Sequence, residues 1–191
     1  MRELVYYVAV SIDGFIADPT GGFDAFLVEG DHSSVVFEEY ADALPAQVHA
    51  ALGIEPPRTR FDTVIMGWNT LAPALAAGIT SPYPHLHQVV ASRHDPDVDP
   101  SVTLTADPLS AVRTLKAEEG RDIWLCGGGH LAGTLLPEID RLVLKRNPLV
   151  FGSGIPLFGD AAYAPRRFDP LDTRTFSSGV LVEEYVARRA G

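Results

Sequence analysis

Ile123-Trp124-Leu125-Cys126-Gly127-Gly128-Gly129-His130-Leu131 is a short apolar strand that runs into three consecutive glycines and then into an apolar segment of helical character. Adjacent glycines are costly in backbone entropy and belong where a chain bends sharply or lies against a ligand. A glycine turn between a strand end and a helix start aims bare N–H groups and the positive helix end at one spot, which suits a phosphate. The same turn also serves a tight strand–helix connection with no ligand. The segment therefore speaks first for the fold and leaves function to the rest of the chain.

Outward from this turn, strand and helix signals alternate. Short apolar runs bounded by polar or glycine punctuation predict buried strands at 4–10, 63–66, 86–91 and 122–126, and a further strand at 141–145. Residues 167–176 and 179–188 predict an antiparallel pair around Ser177-Ser178-Gly179. Helices are predicted within 32–52 and over 69–77, 108–119 and 130–136. Asp107-Pro108 is a start signal, with an aspartate to cap and a proline suited to the first turn, and Gly120 is a stop. The alternation predicts an α/β fold of three layers. Helices cover both faces of a mixed, mostly parallel central sheet that is finished by antiparallel C-terminal strands. The Pro/Gly-rich stretches 17–22, 53–59 and 147–160 read as loops. With no repeat or linker, the 191 residues read as a single domain, 1–191, large enough for a sizeable core.

Composition narrows the partners. The net charge of -10 argues against nucleic acid or an anionic membrane, although an N–H-lined pocket can still hold an anion on an acidic protein. The single cysteine, Cys126, leaves no internal disulfide and no cysteine-based metal cluster, and its apolar strand suits a packing role. His85-x-His87 lacks a third ligand at useful spacing, so no metal is expected. The apolar run at 4–10 is too short to span a membrane and lacks a signal-peptide flank, so a cytoplasmic protein is expected.

Loops at strand ends carry the chemistry in such folds. Four stand out: Ser11–Ala17 with the glycine-rich stretch after it, Val64–Thr70, Val89–His94 and the triple glycine. Read singly, they could be a surface lid, a helix cap, a solvated arginine and a tight turn. Their order is more informative. Val8-Ala9-Val10-Ser11-Ile12-Asp13-Gly14-Phe15-Ile16-Ala17, Val64–Thr70, Val90–Arg93, Cys126–Leu131 and Asp140-Arg141-Leu142 are followed by Pro148-Leu149-Val150-Phe151-Gly152-Ser153-Gly154-Ile155-Pro156-Leu157-Phe158. This series resembles, over nearly the whole chain, the dihydrofolate reductase-like fold. Within that fold it resembles the riboflavin-biosynthesis reductase domain, the RibD C-terminal-like family. The Pro-x-x-x-Gly-x-Gly-x-Pro-x-Phe stretch is the most specific part, because dihydrofolate reductases proper lack it.

The resemblance implies an NADPH-dependent reductase acting on a small heterocyclic or ribosylaminopyrimidine substrate, as in reduction of 5-amino-6-(5-phosphoribosylamino)uracil. Ala9, Ile16 and Ala17 would hold the nicotinamide ring, and Gly67, Asn69 and Thr70 a phosphate. Ser92 and Arg93 would pair with the ribose 2′-phosphate, because an arginine fork binds phosphate bidentately. Gly127, Gly128, Gly129 and the following His130 would underlie the pyrophosphate, with a strained or cis Gly127–Gly128 peptide. The resemblance also implies a two-fold homodimer, through Phe176, Val180–Val186 and the Pro148–Phe158 loop. Trp68 stands where dihydrofolate reductases place a basic residue, and Cys126 where riboflavin reductases often carry a carboxylate.

Hydride transfer needs a proton donor. Asp13, at the end of the first strand, is the catalytic candidate, unless its carboxylate only fixes the loop. Asp31, Glu38 and Glu39 are further acids near the first helix. The His-x-Glu and Pro-Cys-x-x-Cys pair of deaminases is absent, and so is a Gly-x-Ser-x-Gly elbow. Gly127-x-Gly129-x-x-Ala132 satisfies a dinucleotide fingerprint, but no acidic residue follows about 20 residues later to hold a ribose. A dihydrofolate or pteridine reductase and a non-catalytic NADP(H)-binding module remain as alternatives.

Overall fold

The computed structural model describes residues 1–94 and 97–188. In chain order it contains β1 (Leu4–Val10), β2 (Phe15–Ala17), α1 (Ser33–Glu39), α2 (Ala46–Leu52), β3 (Phe61–Gly67), α3 (Trp68–Ala76), β4 (His87–Ala91), β5 (Val102–Thr105), α4 (Pro108–Ala117), β6 (Asp122–Gly127), α5 (Gly129–Leu135), β7 (Arg141–Arg146), β8 (Ile155–Pro156), β9 (Phe168–Thr175) and β10 (Leu181–Ala187). Eight strands form one sheet in the order β5-β4-β3-β6-β1-β7-β10-β9, and β2 and β8 form a separate two-stranded ribbon. The strands β5 through β7 in this order run parallel, whereas β10 and β9 are antiparallel additions at one edge.

Side chains of a strand alternate between faces, and here both faces are buried. Leu4 and Tyr6 of β1, Ile123 and Leu125 of β6, and Leu142 and Leu144 of β7 pack under Val112 and Leu115 of α4 and Leu131, Ala132 and Leu135 of α5. The opposite set, Val5, Tyr7, Trp124, Val143 and Val182, packs under Val35 of α1 and Leu71 of α3. The three-layer α/β sandwich with antiparallel C-terminal strands is therefore as expected.

Several local expectations need correction. The helical region within 32–52 is two short helices separated by a 3-10 turn, Ala41–Ala43, with Pro45 before the second. Residues 102–105 form the edge strand β5, whose four residues bury one side chain fully and so give almost no apolar signal. Ile155–Pro156, read as loop, pairs with β2. The helix after β3 begins at Trp68, so Asn69 and Thr70 lie in its first turn rather than capping it. Gly67 is the cap residue, and no side chain caps this end. Asp107 does cap α4, accepting from the Ser110 N–H at 3.0 Å. No helix among the described residues is long and apolar enough to cross a membrane.

Candidate functional site

Strands β3 and β6 are parallel neighbours whose chains leave in opposite directions. After β3, α3 leads outward to β4, whereas after β6, α5 leads across β1 to β7. Such a divergence opens a crevice at the carboxyl ends of the strands, where α/β folds bind ligands. The register places Ala91 of β4 beside Gly67 of β3, and Met66 beside Gly127 of β6. Ser92-Arg93, Gly67–Thr70, Gly127–His130 and the end of β1 therefore line one edge of four adjacent strands.

The glycines divide by role. A Cβ on Gly128 would meet only the Thr70 hydroxyl oxygen, at 3.8 Å, and one on Gly67 only Leu131, at 4.0 Å. These two turns thus face each other across open space, and backbone can approach a ligand there. The first N–H groups of the nine-residue α3 point into this space without a capping side chain. Gly127 has φ +114°, a conformation that side chains resist, and the Gly127–Gly128 peptide is cis. Gly129 differs from the expectation. A Cβ there would lie 2.0 Å from the Pro156 carbonyl oxygen, so packing against the chain, not ligand approach, requires that glycine.

The packing partner is the stretch Pro148–Phe158, which crosses the site as a strap. Its Gly154 passes so close to Ala17 that a Cβ would fall 2.2 Å from the Ala17 carbonyl oxygen. Asp13 anchors it. The exposed Asp13 carboxylate accepts from the Ser11 hydroxyl at 2.6 Å, the Phe151 N–H at 3.1 Å and the Gly152 N–H at 2.7 Å. These bonds, led by that of Ser11, hold its carboxyl below the usual range. At neutral pH Asp13 is a carboxylate used up in loop bonding, with no proton to give. The proton-delivery role expected of it gives way to a positioning role.

The remaining expected residues are placed as follows. Ala9 is half-buried opposite Lys145. Ile16 packs on the core below α5, and Ala17 is buried in the β2–β8 ribbon. The Ser92 hydroxyl is engaged in a local turn with His94, at 2.9 Å, while Arg93 is exposed. Exposed His130 faces Asp160, Nδ1 to Oδ1 2.9 Å. Asp31 and Glu39 are committed elsewhere: Asp31 accepts from the Ser177 and Ser178 N–H groups, and Glu39 pairs with Arg174.

Sequence reasoning missed two residues that organise this edge. Buried Asn147 accepts from the Leu27 N–H at 3.0 Å and donates to the Lys145 carbonyl at 3.0 Å, clipping the loop before α1 to the end of β7. Lys145 itself lies over the Tyr7 ring, 4.6 Å from its centroid. Nearby Cys126 is half-buried, and burial pushes its thiol up to about 12, as suits a packing residue.

A hollow of about 590 Å³ lies elsewhere. It is lined by Glu38, Thr59, Arg60, Arg121, Asp122, Arg141 and Glu184, at the amino ends of β3, β6 and β7. Arg141 in its wall pairs with Glu184, at 3.9 Å, and with Glu3 beyond it, at 2.9 Å, and its lining holds no glycine turn or helix start. A smaller hollow of about 260 Å³, between Asp18–Ala25 and Phe151, flanks the carboxyl edge. The backbone architecture favours the carboxyl edge as the site.

The family described as RibD C-terminal domain matches residues 2–182. The chain belongs to this family. The uncharacterized protein YwjB of Bacillus subtilis (strain 168) is 32% identical over 166 residues, covering 82% of this chain and 83% of its own. Among solved structures, a diaminohydroxyphosphoribosylaminopyrimidine deaminase/5-amino-6-(5-phosphoribosylamino)uracil reductase from Thermotoga maritima aligns with a TM-score of 0.66 at 16% identity. The alignment covers 98% of this chain and 57% of that one. A dihydrofolate reductase from Enterococcus faecalis, complexed with NADP(H), aligns with a TM-score of 0.63 at 15% identity, covering 98% and 97%. At such identities the structures speak for the dihydrofolate reductase-like fold.

Proposed function

We propose that this member of the RibD C-terminal domain family is a cytoplasmic, homodimeric, NADPH-dependent reductase of a small heterocyclic or ribosylaminopyrimidine substrate. The observation that carries this reading is the crevice between Gly67 and Gly128, where backbone stands open beside Thr70 and an uncapped α3. Its shape suits a dinucleotide. The first N–H groups of α3 and the Thr70 hydroxyl would hold the pyrophosphate, Ser92 and Arg93 the ribose 2′-phosphate, and Ala9, Ile16 and Ala17 the nicotinamide side. The bound cofactor would supply a hydride. The chain's own task is to orient the substrate, exclude water and provide the proton. Cys126, standing where riboflavin reductases often carry a carboxylate, supports a substrate that differs from theirs at that contact.

Cofactor titration tests the reading. NADPH should bind more tightly than NADH, and Arg93→Ala should narrow the gap, since a charge-assisted hydrogen bond is worth about 1.5–3 kcal/mol. Equal affinities for the two cofactors in the wild type would remove the support of Ser92 and Arg93.

A further inference from the structure

Lys145 sits at the carboxyl end of β7, two residues after buried Val143 and on the same face of the sheet, opposite Ala9 of β1 and Val182 of β10. That face also carries Tyr7 on β1 and Trp124 and Cys126 on β6. The ammonium leans from β7 over the Tyr7 ring, at 4.6 Å, with the small Ala9 leaving room on the strand between. Cys126 is the last residue before the glycine turn, so this amine stands beside the crevice.

Its surroundings are unusual for a lysine. The titratable groups facing it are Cys126 of β6, Tyr7 of β1 and, through a 3.9 Å contact with the Cys126 sulfur, Tyr83 from the loop before β4. All three are raised by burial and are neutral at pH 7. The acid on this face of the neighbouring β10, Glu184, is engaged by the Tyr40 hydroxyl at 3.2 Å and by Arg174 at 3.4 Å, and among the described residues no carboxylate forms an ion pair with Lys145. Burial without a counter-charge pushes the amine down to about 8. The chain's other lysine, Lys116, has a partner in Asp140 at 2.6 Å.

A desolvated amine with no anion to hold is costly unless a substrate meets it. We infer that Lys145 is a catalytic residue on the substrate side of this cleft, donating the proton that accompanies hydride transfer to a conjugated C=O or C=N group. This rests on the reductase reading above. As the acceptor carbon gains the hydride from the dihydronicotinamide, one Lys145 N–H bond breaks and a new O–H or N–H bond forms on the substrate heteroatom. The substrate is reduced by two electrons and the nicotinamide oxidised by two. The neutral amine then regains its proton from water. An amine that titrates near 8 is still charged at pH 7 and yields its proton more readily than an ordinary lysine.

Protein labelled with ¹³C at the lysine ε-carbons gives two resonances, with Lys116 as internal control. The Lys145 resonance, identified by its loss in Lys145→Met, should titrate near pH 8. A midpoint at the ordinary lysine value of about 10 overturns the proposal. Cys126→Asp should move that midpoint up, by placing a negative charge beside the amine; no movement means that the two do not face each other, and overturns it. Saturating NADP⁺ should shift the Lys145 resonance and not that of Lys116, with binding followed separately by fluorescence of Trp68 and Trp124. Absence of binding defeats the reductase reading, whereas binding with an unmoved Lys145 defeats this proposal alone. With 5-amino-6-(5-phosphoribosylamino)uracil and dihydrofolate as first probes, Lys145→Met should lower kcat about 100-fold or more at unchanged NADPH affinity. The wild-type rate should fall as pH rises through the Lys145 midpoint. Lys145→Arg, which cannot give up its proton, should stay slow. Near-wild-type kcat in either variant overturns the assignment.

Discussion

Gly128 and Gly129 are chemically identical neighbours under different demands, and one methyl group separates them. An added Cβ at Gly128 would stand in the open crevice beside Thr70, where the pyrophosphate is proposed to lie. An added Cβ at Gly129 would overlap the Pro156 carbonyl and crowd the Gly159 nitrogen, at 2.9 Å, both of them backbone atoms that cannot rotate aside. Overpacking of this kind costs about 1–3 kcal/mol. Gly129→Ala should therefore lower Tm by several degrees, whereas Gly128→Ala should hold Tm and weaken NADPH binding. Thermal melts and cofactor titrations of the two variants check this, and equal Tm losses would mean that the division of roles is wrong. The triple glycine was legible as a sharp turn near a ligand. The split within it was not, because Pro156 is distant in sequence and reaches Gly129 only through the strap.

At the scale of elements, the site is held by loops tied through carboxylates. Asp13 ties the strap to the end of β1, and Asp31 ties the approach to α1 onto the β9–β10 turn through the Ser177 and Ser178 N–H groups, at 2.6 and 3.1 Å. Both carboxyls are held below the ordinary aspartate value of 3.8, Asp31 chiefly by the bond from Ser177. A carboxyl with a depressed folded pKa adds stability above its unfolded value and loses it as pH falls toward the folded one. The clamps should thus be intact from neutral pH down to about 4 and release below it. Limited proteolysis should show cleavage in residues 18–31 and 147–160 rising below that pH, while Asp31→Asn should be cleaved in 18–31 even at pH 7. Identical pH profiles for wild type and Asp31→Asn would mean that this clamp carries nothing. The strands were legible because apolar runs such as Leu4–Val10 and Asp122–Gly127 are buried on both faces and leave an unbroken signal. The carboxylate clamps, Asn147 and Lys145 were not, because each depends on a partner more than a hundred residues away in sequence or on a facing strand. Local pattern does not encode such pairs.

For the whole molecule, assembly turns on its exposed apolar surface. The expected dimer face at Val180–Val186 needs revision, because β10 is internal: β9 pairs along it, and Val180 and Val182 are fully buried. The edge strand on this side of the sheet is β9. Pro170 removes a donor from it, and Asp169, Asp172 and Arg174 add charges along it, features that discourage pairing with another strand. Four of the exposed apolar residues gather instead around the carboxyl edge, Ile12 55%, Phe23 63%, Val28 80% and Val150 65% exposed. They form one neighbourhood, since the Ile12 N–H donates to the Leu149 carbonyl and the Phe26 and Phe151 rings lie 5.1 Å apart. We propose that two copies meet through this neighbourhood. A stable interface buries about 800 Å² per partner, more than four side chains supply, so the contact must extend onto the strap and border the cleft. Each copy carries a net charge of -10, so the copies repel at long range and added salt should strengthen the dimer rather than weaken it. Analytical ultracentrifugation should find a two-copy mass that persists in high salt, and Val28→Asp with Val150→Asp should give a folded monomer. A wild-type monomer at all concentrations, or a dimer that dissociates as salt is raised, would rule this face out.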